Sequence, residues 1–247
     1  MIEGIKTFGQ YLTMLGNVFS IPQNRKVYFR RVIDEMVKLG VNSLAIVSII
    51  SLFMGAVVTI QTGLQLSNPF IPKYLIGYAT RESLILEFSP TMIALILAGK
   101  VGSSIASEIG TMRVSEQIDA LEIMGINSAS FIIQPKIIAS VLFFPFLVVI
   151  SMAIGMFGGF LAATLGGIIS EAEFFQGLMY WFEPYYIFYA LFKTVFFAFA
   201  ISSISSFFGY YTKGGAIAVG KSSTKAVVYS CIVVLIINFI ITQLMLA

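Results

Sequence analysis

Groups that carry catalytic or metal chemistry are scarce in this 247-residue sequence. It contains no histidine and one cysteine, Cys231, and only two of its twelve carboxylates are aspartates, Asp34 and Asp119. The absence of histidine removes the commonest metal ligand and the commonest general base. A single cysteine cannot form a disulfide within the chain. We therefore expect neither catalytic residues nor a metal site.

Charge is also scarce, at 11% of residues, whereas 58% are hydrophobic and the mean hydropathy is +0.93. A soluble domain of this length could not place so much apolar surface in one core. A membrane-spanning helix needs about 20 apolar residues. One apolar stretch, 137–168, is longer than this and could accommodate tilt, a break at Pro145 or a re-entrant piece. The sequence predicts an all-α integral membrane protein with five transmembrane helices, at 41–66, 84–108, 137–168, 185–210 and 226–247.

Basic residues flank the predicted helices unequally. On one side lie only Lys73 and Arg81. The other side holds Lys6, Arg25, Lys26, Arg30, Arg31, Lys38, Arg113, Lys136, Lys213, Lys221 and Lys225. Because cytoplasmic loops are enriched in lysine and arginine, we expect a cytoplasmic N-terminus and an external C-terminus. The net charge of +3 follows from this asymmetry and gives no support for nucleic-acid binding.

The first 40 residues precede the five-span region, 41–247. Residues 1–20 lack the uninterrupted apolar core of a signal peptide. Apolar residues recur instead at helical spacing, at Ile5, Phe8, Leu12, Leu15 and Phe19. This pattern predicts an interfacial helix. Residues 24–40 mix basic and apolar side chains, which fits either contact with the anionic inner leaflet or a plain basic flank.

The character of the sequence changes within residues 87–125. Small residues spaced four apart line one face of the predicted second span, where they allow close helix packing: Ala94, Ala98, Gly102, Ala106 and Gly110. Beyond them, Val114, Ile118 and Leu121 form an apolar stripe, and Gly125 is a helix stop signal. The pattern predicts a short surface helix over 114–124, which either binds a soluble partner or simply covers the end of the bundle.

Residues 215–222 match the phosphate-loop pattern G-x-x-x-x-G-K-[ST]. A functional loop of this kind follows a buried strand and needs a carboxylate elsewhere to hold magnesium. Here the match lies between two predicted spanning helices, and neither aspartate ends a hydrophobic strand. We reject nucleotide binding at this loop and interpret it as a glycine-rich, basic cytoplasmic loop.

The core of the 87–125 segment, AGKVGSSIASEIGTMRVSEQIDALEIMG, resembles the signature of the MlaE (YrbE-type) permease family, the membrane subunits of bacterial ABC transporters that move phospholipids with an MCE protein. FMGAVVTIQ at 53–61, QPKIIASVLFFP at 134–145 and FKTVFFAFAISSISSFFGY at 192–210 extend the resemblance over most of the chain. Where the family carries Arg-Glu-Leu-Gly-Pro, this chain has Leu86-Glu87-Phe88-Ser89-Pro90. Arg81 is a candidate substitute for the missing arginine.

The resemblance implies a homodimeric permease of the bacterial inner (cytoplasmic) membrane, with a lipid cavity at the dimer interface. It implies that separate ABC ATPase subunits bind ATP and Mg, that this chain holds no cofactor, and that a periplasmic MCE-domain protein covers the outlet. Region 1–40 resembles the family's elbow helix. Segment 111–125 resembles the coupling helix that docks into the ATPase, and its candidate docking and hinge residues are Glu108, Arg113, Glu116, Gln117, Asp119 and Glu122.

Two charged residues fall well inside predicted spans, Glu87 and Lys193. An isolated charge in hydrocarbon is unfavourable by several kcal/mol, so each needs a partner or a wet cavity. We expect them to lie at similar depth near the periplasmic mouth and either to pair or to contact the lipid headgroup, with Lys193 the natural phosphate contact. A purely structural salt bridge or snorkelling is the alternative.

Apolar residues around the outer end of the first span are candidates for the acyl-chain cavity: Ile60, Leu64, Leu66, Phe70, Tyr74, Leu75 and Tyr78. The same aromatic residues equally fit membrane anchors. Taken together, the sequence favours a non-catalytic phospholipid permease subunit. The alternatives are a membrane-embedded enzyme acting on lipids and a passive channel or scaffold with 169–184 as an external lid or interaction surface.

Overall fold

A computed structural model describes residues 2–20, 25–66 and 70–246. Within these ranges all regular structure is helical and no strand is present, which confirms the all-α prediction. The α-helices are α1 (Ile2–Val18), α2 (Arg25–Glu35), α3 (Leu44–Gln65), α4 (Tyr74–Ser83), α5 (Ile93–Leu97), α6 (Ser103–Val114), α7 (Gln117–Ile123), α8 (Ser128–Leu165), α9 (Glu171–Met179), α10 (Pro184–Tyr210) and α11 (Ala216–Leu246).

Five helical stretches in the described chain are long and apolar enough to cross a membrane, as predicted: Lys26–Gln65, Tyr74–Val114, Ser128–Leu165, Pro184–Tyr210 and Ala216–Leu246. Several begin or end beyond the predicted apolar stretch, because a helix continues into polar sequence as long as no breaker stops it. In α8 the helix runs through Pro145 without interruption.

The second span is not a uniform α-helix. It passes through two π-helical stretches, Leu84–Met92 and Ala98–Gly102, which alternate with α4, α5 and α6. Pro90 lies within the first stretch. Proline has no N–H to donate and its ring crowds the preceding turn, and the wider π turn is a local way to accommodate such a residue. Glu87 lies on this widened turn.

The chain forms two compact units. The first comprises Met1–Asn42, Leu95–Phe143 and Phe196–Ile240, and the second comprises Ser43–Ala94, Phe144–Val195 and Ile241–Ala247.

In the first unit, α6 and α10 pack closely through small side chains. A Cβ placed on Gly209 would lie 2.8 Å from the carbonyl oxygen of Ala106, and one on Gly102 would lie 2.8 Å from the hydroxyl of Ser205. The predicted ladder of small residues therefore has a packing partner, since larger side chains at these positions would force α6 and α10 apart.

In the second unit, α3 and α8 meet almost backbone to backbone. A Cβ on Gly55 would collide with the carbonyl oxygen of Gly155, and one turn earlier Ser51 donates a 2.8 Å hydrogen bond to Ser151. The helices α4 and α9 meet in the same way at Gly177, where an added Cβ would collide with the carbonyl oxygen of Tyr74. These glycines set the close helix spacing of the second unit.

Candidate functional site

The loop between α6 and α8 contains the short helix α7. Glu116 adopts a left-handed conformation with φ of 60° and separates α7 from α6, and Gly125 does the same after α7 with φ of 74°. Left-handed backbone interrupts a right-handed helix. The surface helix is therefore shorter than the predicted 114–124, and Val114 belongs to α6 rather than to a stripe on one helix with Ile118.

Four of the six predicted coupling residues are bound within the chain, three of them at α7. Arg113 forms a 2.6 Å ion pair with Asp119. Glu122 accepts hydrogen bonds from the hydroxyls of Ser128 at 2.7 Å and Tyr210 at 3.0 Å. The bond from Ser128 is the main reason that the pKa of Glu122 lies below its ordinary value. These contacts attach α7 to the ends of α6, α8 and α10, and we call the Glu122, Ser128 and Tyr210 cluster the latch.

The outward surface of α7 combines polar and apolar side chains. Glu116 and Gln117, both predicted coupling residues, are exposed. Beside them Ile123 is 87% exposed and Met124 is 64% exposed. Sequence analysis did not identify Ile123 and Met124. The available signal was that both fall outside the apolar stripe of the predicted helix, which indicates that they face outward.

The sixth predicted coupling residue, Glu108, belongs to a charge network that we call the inner hub. Its carboxylate contacts the ammonium groups of Lys38 at 2.7 Å and Lys136 at 2.9 Å, and Lys136 also contacts Glu35 at 2.5 Å. Lys136 is only 2% exposed. Two carboxylates compensate this buried cation, and they connect α2, α6 and α8 in the first unit.

Glu87 and Lys193 are brought together in the second unit. The Lys193 ammonium lies 2.8 Å from the Glu87 carboxylate and 4.6 Å from the ring centroid of Tyr189. Thr91 and Thr242 donate hydrogen bonds to the same carboxylate, at 3.0 Å and 3.3 Å. Lys193 is fully buried, whereas the Glu87 side chain is 41% exposed. Only the anionic partner is therefore accessible in this conformation.

The seven residues predicted to form one acyl-chain cavity divide among several environments. Ile60 and Leu64 border an apolar cavity of about 350 Å³ between α3 and α8. Leu66 packs against the buried cluster around Ile76. Tyr74 and Tyr78 contact the ring of Tyr180, in a tilted and an edge-to-face arrangement respectively. Of the other two, Phe70 is exposed and Leu75 is half-buried.

A second apolar cavity of about 370 Å³ lies on α3 and was not predicted. It is lined by Ile49, Ile50, Phe53, Met54, Val57, Val58, Gln61 and Phe88. Phe88 is the direct neighbour of Glu87 in sequence, so the π-helical turn that carries Glu87 also contributes to this apolar surface. The available signal was Gln61, an amide among the apolar residues that line this cavity.

Comparison with known proteins finds one matching family and several related proteins. The sequence model of a family described as Permease MlaE matches residues 32–244. A probable ABC transporter permease protein of Rickettsia bellii is 38% identical over 218 residues, which cover 88% of this chain and 84% of that protein. The intermembrane phospholipid transport system permease protein MlaE of Haemophilus influenzae is 32% identical, with 99% of this chain and 94% of that protein covered. Protein TRIGALACTOSYLDIACYLGLYCEROL 1, chloroplastic, of Arabidopsis thaliana is 32% identical, with 88% and 62% covered.

Proposed function

The chain belongs to the MlaE permease family, and on this premise we propose that it is the permease subunit of an ABC transporter that moves phospholipids between the inner membrane and a periplasmic MCE-domain protein. In this proposal two copies form a homodimer, separate ATPase subunits supply the energy, and the N-terminus lies in the cytoplasm and the C-terminus in the periplasm. The relatives named as ABC transporter permeases and as a phospholipid transport permease support the class.

The surface of α7 is the observation that carries the proposal. The latch and the ion pair between Arg113 and Asp119 hold the helix on its neighbours, while Ile123 and Met124 remain exposed. An apolar centre with a polar rim is the usual composition of a protein–protein contact. We assign Glu116, Gln117, Ile123 and Met124 to docking, and Arg113, Asp119 and Glu122 to holding α7 in place.

The site of ATP hydrolysis belongs, in this proposal, to the partner chain. Residues 215–222 lie at the beginning of α11, and no strand precedes them in the described part of the chain. A phosphate-binding loop needs that strand and a sheet to position it. ATP and Mg are accordingly expected in the ATPase. A conformational change of the ATPase would reach this chain through α7, the latch and the inner hub.

The lipid headgroup is assigned to the pair of Glu87 and Lys193. A zwitterionic headgroup offers an ammonium for the carboxylate and a phosphate for the lysine, so it can replace each partner when the pair opens. The exposed carboxylate makes the first contact, because Lys193 is covered while the pair is closed. The apolar cavity beside Phe88 is assigned to an acyl chain.

Copurification with the ATPase tests the docking assignment. Ile123→Asp and Glu116→Lys are expected to remove the ATPase from the purified complex, because each places a charge at the centre or reverses one at the rim of the contact. Glu171→Lys, at the predicted external end, is the matched control and is expected to retain it. Unchanged ATPase binding by the Ile123→Asp and Glu116→Lys variants would show that α7 is not the docking surface.

A further inference from the structure

Arg81 is a buried cation for which the proposed transport steps have no role. It is 2% exposed and forms an ion pair with Glu82 at 2.6 Å. Its guanidinium also donates to the carbonyl oxygens of Leu178 at 2.5 Å, Tyr180 at 3.0 Å and Trp181 at 3.1 Å. One side chain of α4 therefore fixes the backbone at the end of α9 and just beyond it, and we call this set of contacts the clamp.

The residue at the end of this clamp is held in an unusual conformation. Trp181 has φ of 45°, in the left-handed region that residues with a side chain rarely adopt. Such a conformation persists when its surroundings determine it, and Arg81 provides that constraint. The indole is nevertheless 69% exposed, and its N–H donates to Glu183 at 3.2 Å. The clamp therefore holds an apolar ring outward.

Trp181 belongs to a group of exposed residues, close together in sequence, that we call the apolar rim: Phe175, Met179, Tyr180, Trp181 and Phe182, each at least 43% exposed. On the first turns of α10, Tyr185 and Phe188 are also exposed. Since α10 is one of the five stretches long and apolar enough to cross a membrane, we expect its exposed apolar face to meet lipid. Aromatic side chains with a polar atom at one edge concentrate where a span leaves the hydrocarbon.

The charges beside the rim indicate which lipid it contacts. Glu171 and Glu183 are exposed near it, whereas Arg81 is buried and Lys73 is the exposed cation of this end of the second unit. Carboxylates repel anionic headgroups and accept hydrogen bonds from an ammonium group. We propose that the apolar rim is a lipid-binding surface at the headgroup layer, that it favours headgroups bearing an ammonium such as phosphatidylethanolamine, and that Arg81 is its positioning residue.

Trp181 makes a direct test feasible because it is the only tryptophan of the chain. The full-length protein is placed in nanodiscs of equimolar phosphatidylethanolamine and phosphatidylglycerol, with bromine near the headgroup end of the acyl chains of one lipid or the other. Lipid composition and surface charge are the same in all samples, which differ only in the lipid that carries the bromine. We expect fluorescence quenching by labelled phosphatidylethanolamine to be about twice that by labelled phosphatidylglycerol. Quenching by aqueous acrylamide without quenching by either brominated lipid overturns the lipid surface, and equal quenching by both lipids overturns the headgroup preference.

Variants then separate charge from position. Glu171→Gln with Glu183→Gln is expected to equalise the two lipids, and an unchanged ratio contradicts the role of the carboxylates. Arg81→Lys keeps a cation but loses the fork that bridges three carbonyls, so we expect lipid quenching to fall by about half and acrylamide quenching to rise at unchanged helix content. Lys73→Arg exchanges the same two kinds of cation at an exposed position and is the matched control, expected to leave both kinds of quenching unchanged. Quenching in Arg81→Lys equal to that of the unsubstituted chain overturns the positioning role.

Discussion

Single buried charges organise both units, and Lys136 is the clearest case. Its ammonium forms ion pairs with both Glu35 on α2 and Glu108 on α6. Lys38 contacts the same Glu108 carboxylate but is itself 49% exposed. An ion pair at an exposed position contributes little to stability, whereas removal of one member of a buried pair leaves an uncompensated charge. The two lysines therefore differ in importance although they share a partner.

Replacing Lys136 by Met is expected to lower the free energy of unfolding by about 3 kcal/mol, because Glu35 and Glu108 lose their common cation. The same replacement at Lys38 is the matched control and is expected to cost about 0 to 1 kcal/mol. Thermal unfolding of the two variants in the same detergent measures the difference. Equal shifts in Tm would contradict a central role for Lys136 in the inner hub.

The Glu87 and Lys193 pair predicts an asymmetric response to substitution. Glu87→Gln leaves a fully buried lysine without its counter-ion, whereas Lys193→Met leaves a carboxylate that retains 41% exposure and can be solvated. We expect the first variant to unfold at a lower temperature than the second. The double variant is expected to be more stable than Glu87→Gln alone, because no unpaired charge remains. Strict additivity of the two effects would show that the pair contributes no coupling.

At the scale of elements, α7 is a short helix whose position depends on side-chain bonds from its neighbours. With seven residues it cannot be stable alone. The latch joins it to α10 and to the beginning of α8. These contacts link α7 to the longer helices of the first unit, and we expect the latch to hold α7 in place.

Tyr210→Phe tests this role because it removes one hydroxyl of the latch and leaves the ring in place. We expect faster amide hydrogen exchange in residues 117–123, with exchange in α11 unchanged. Tyr211→Phe is the neighbouring control and is expected to leave α7 unaffected. Equal exchange in all three proteins would show that α7 is held by other contacts.

The latch also predicts a dependence on pH. The pKa of Glu122 is lowered in the folded chain, chiefly by the bond from Ser128. The stabilisation is therefore complete above the unfolded pKa and is lost as the pH falls through the lower, folded value. Protection of the α7 amides, corrected for intrinsic rates, is expected to decrease between about pH 6 and about pH 3, and Glu122→Gln is expected to flatten this change. An unaltered pH profile in that variant would exclude Glu122 as its origin.

For the whole molecule, composition was sufficient to predict the number of spans, since apolar length alone decides whether a helix can cross a bilayer. The local backbone geometry could not be predicted from hydropathy. The π-helical turns at Leu84–Met92 and Ala98–Gly102 and the left-handed Glu116 depend on packing that hydropathy does not encode. Pro145 likewise suggested a break that α8 does not contain.

The candidate site was likewise only partly predictable from the sequence. Glu87 and Lys193 were identifiable because intramembrane charges need partners, and the structure brings them into contact. The inner hub was not identifiable, because Glu35, Glu108 and Lys136 are far apart in sequence and each alone resembles a flanking charge. The proposed cavity residues were selected by type, and apolar residues are too common here for type to define a single cavity.

The proposed function depends most on α7 facing the cytoplasm and meeting the ATPase there. Ile123→Cys in a Cys231→Ser background provides a single thiol on this helix. A membrane-impermeant maleimide is applied to intact cells and to inverted membrane vesicles, with and without the bound ATPase. We predict labelling in inverted vesicles alone, and its suppression when the ATPase is bound. Labelling from outside intact cells would contradict the account, because no cytoplasmic ATPase could then reach α7.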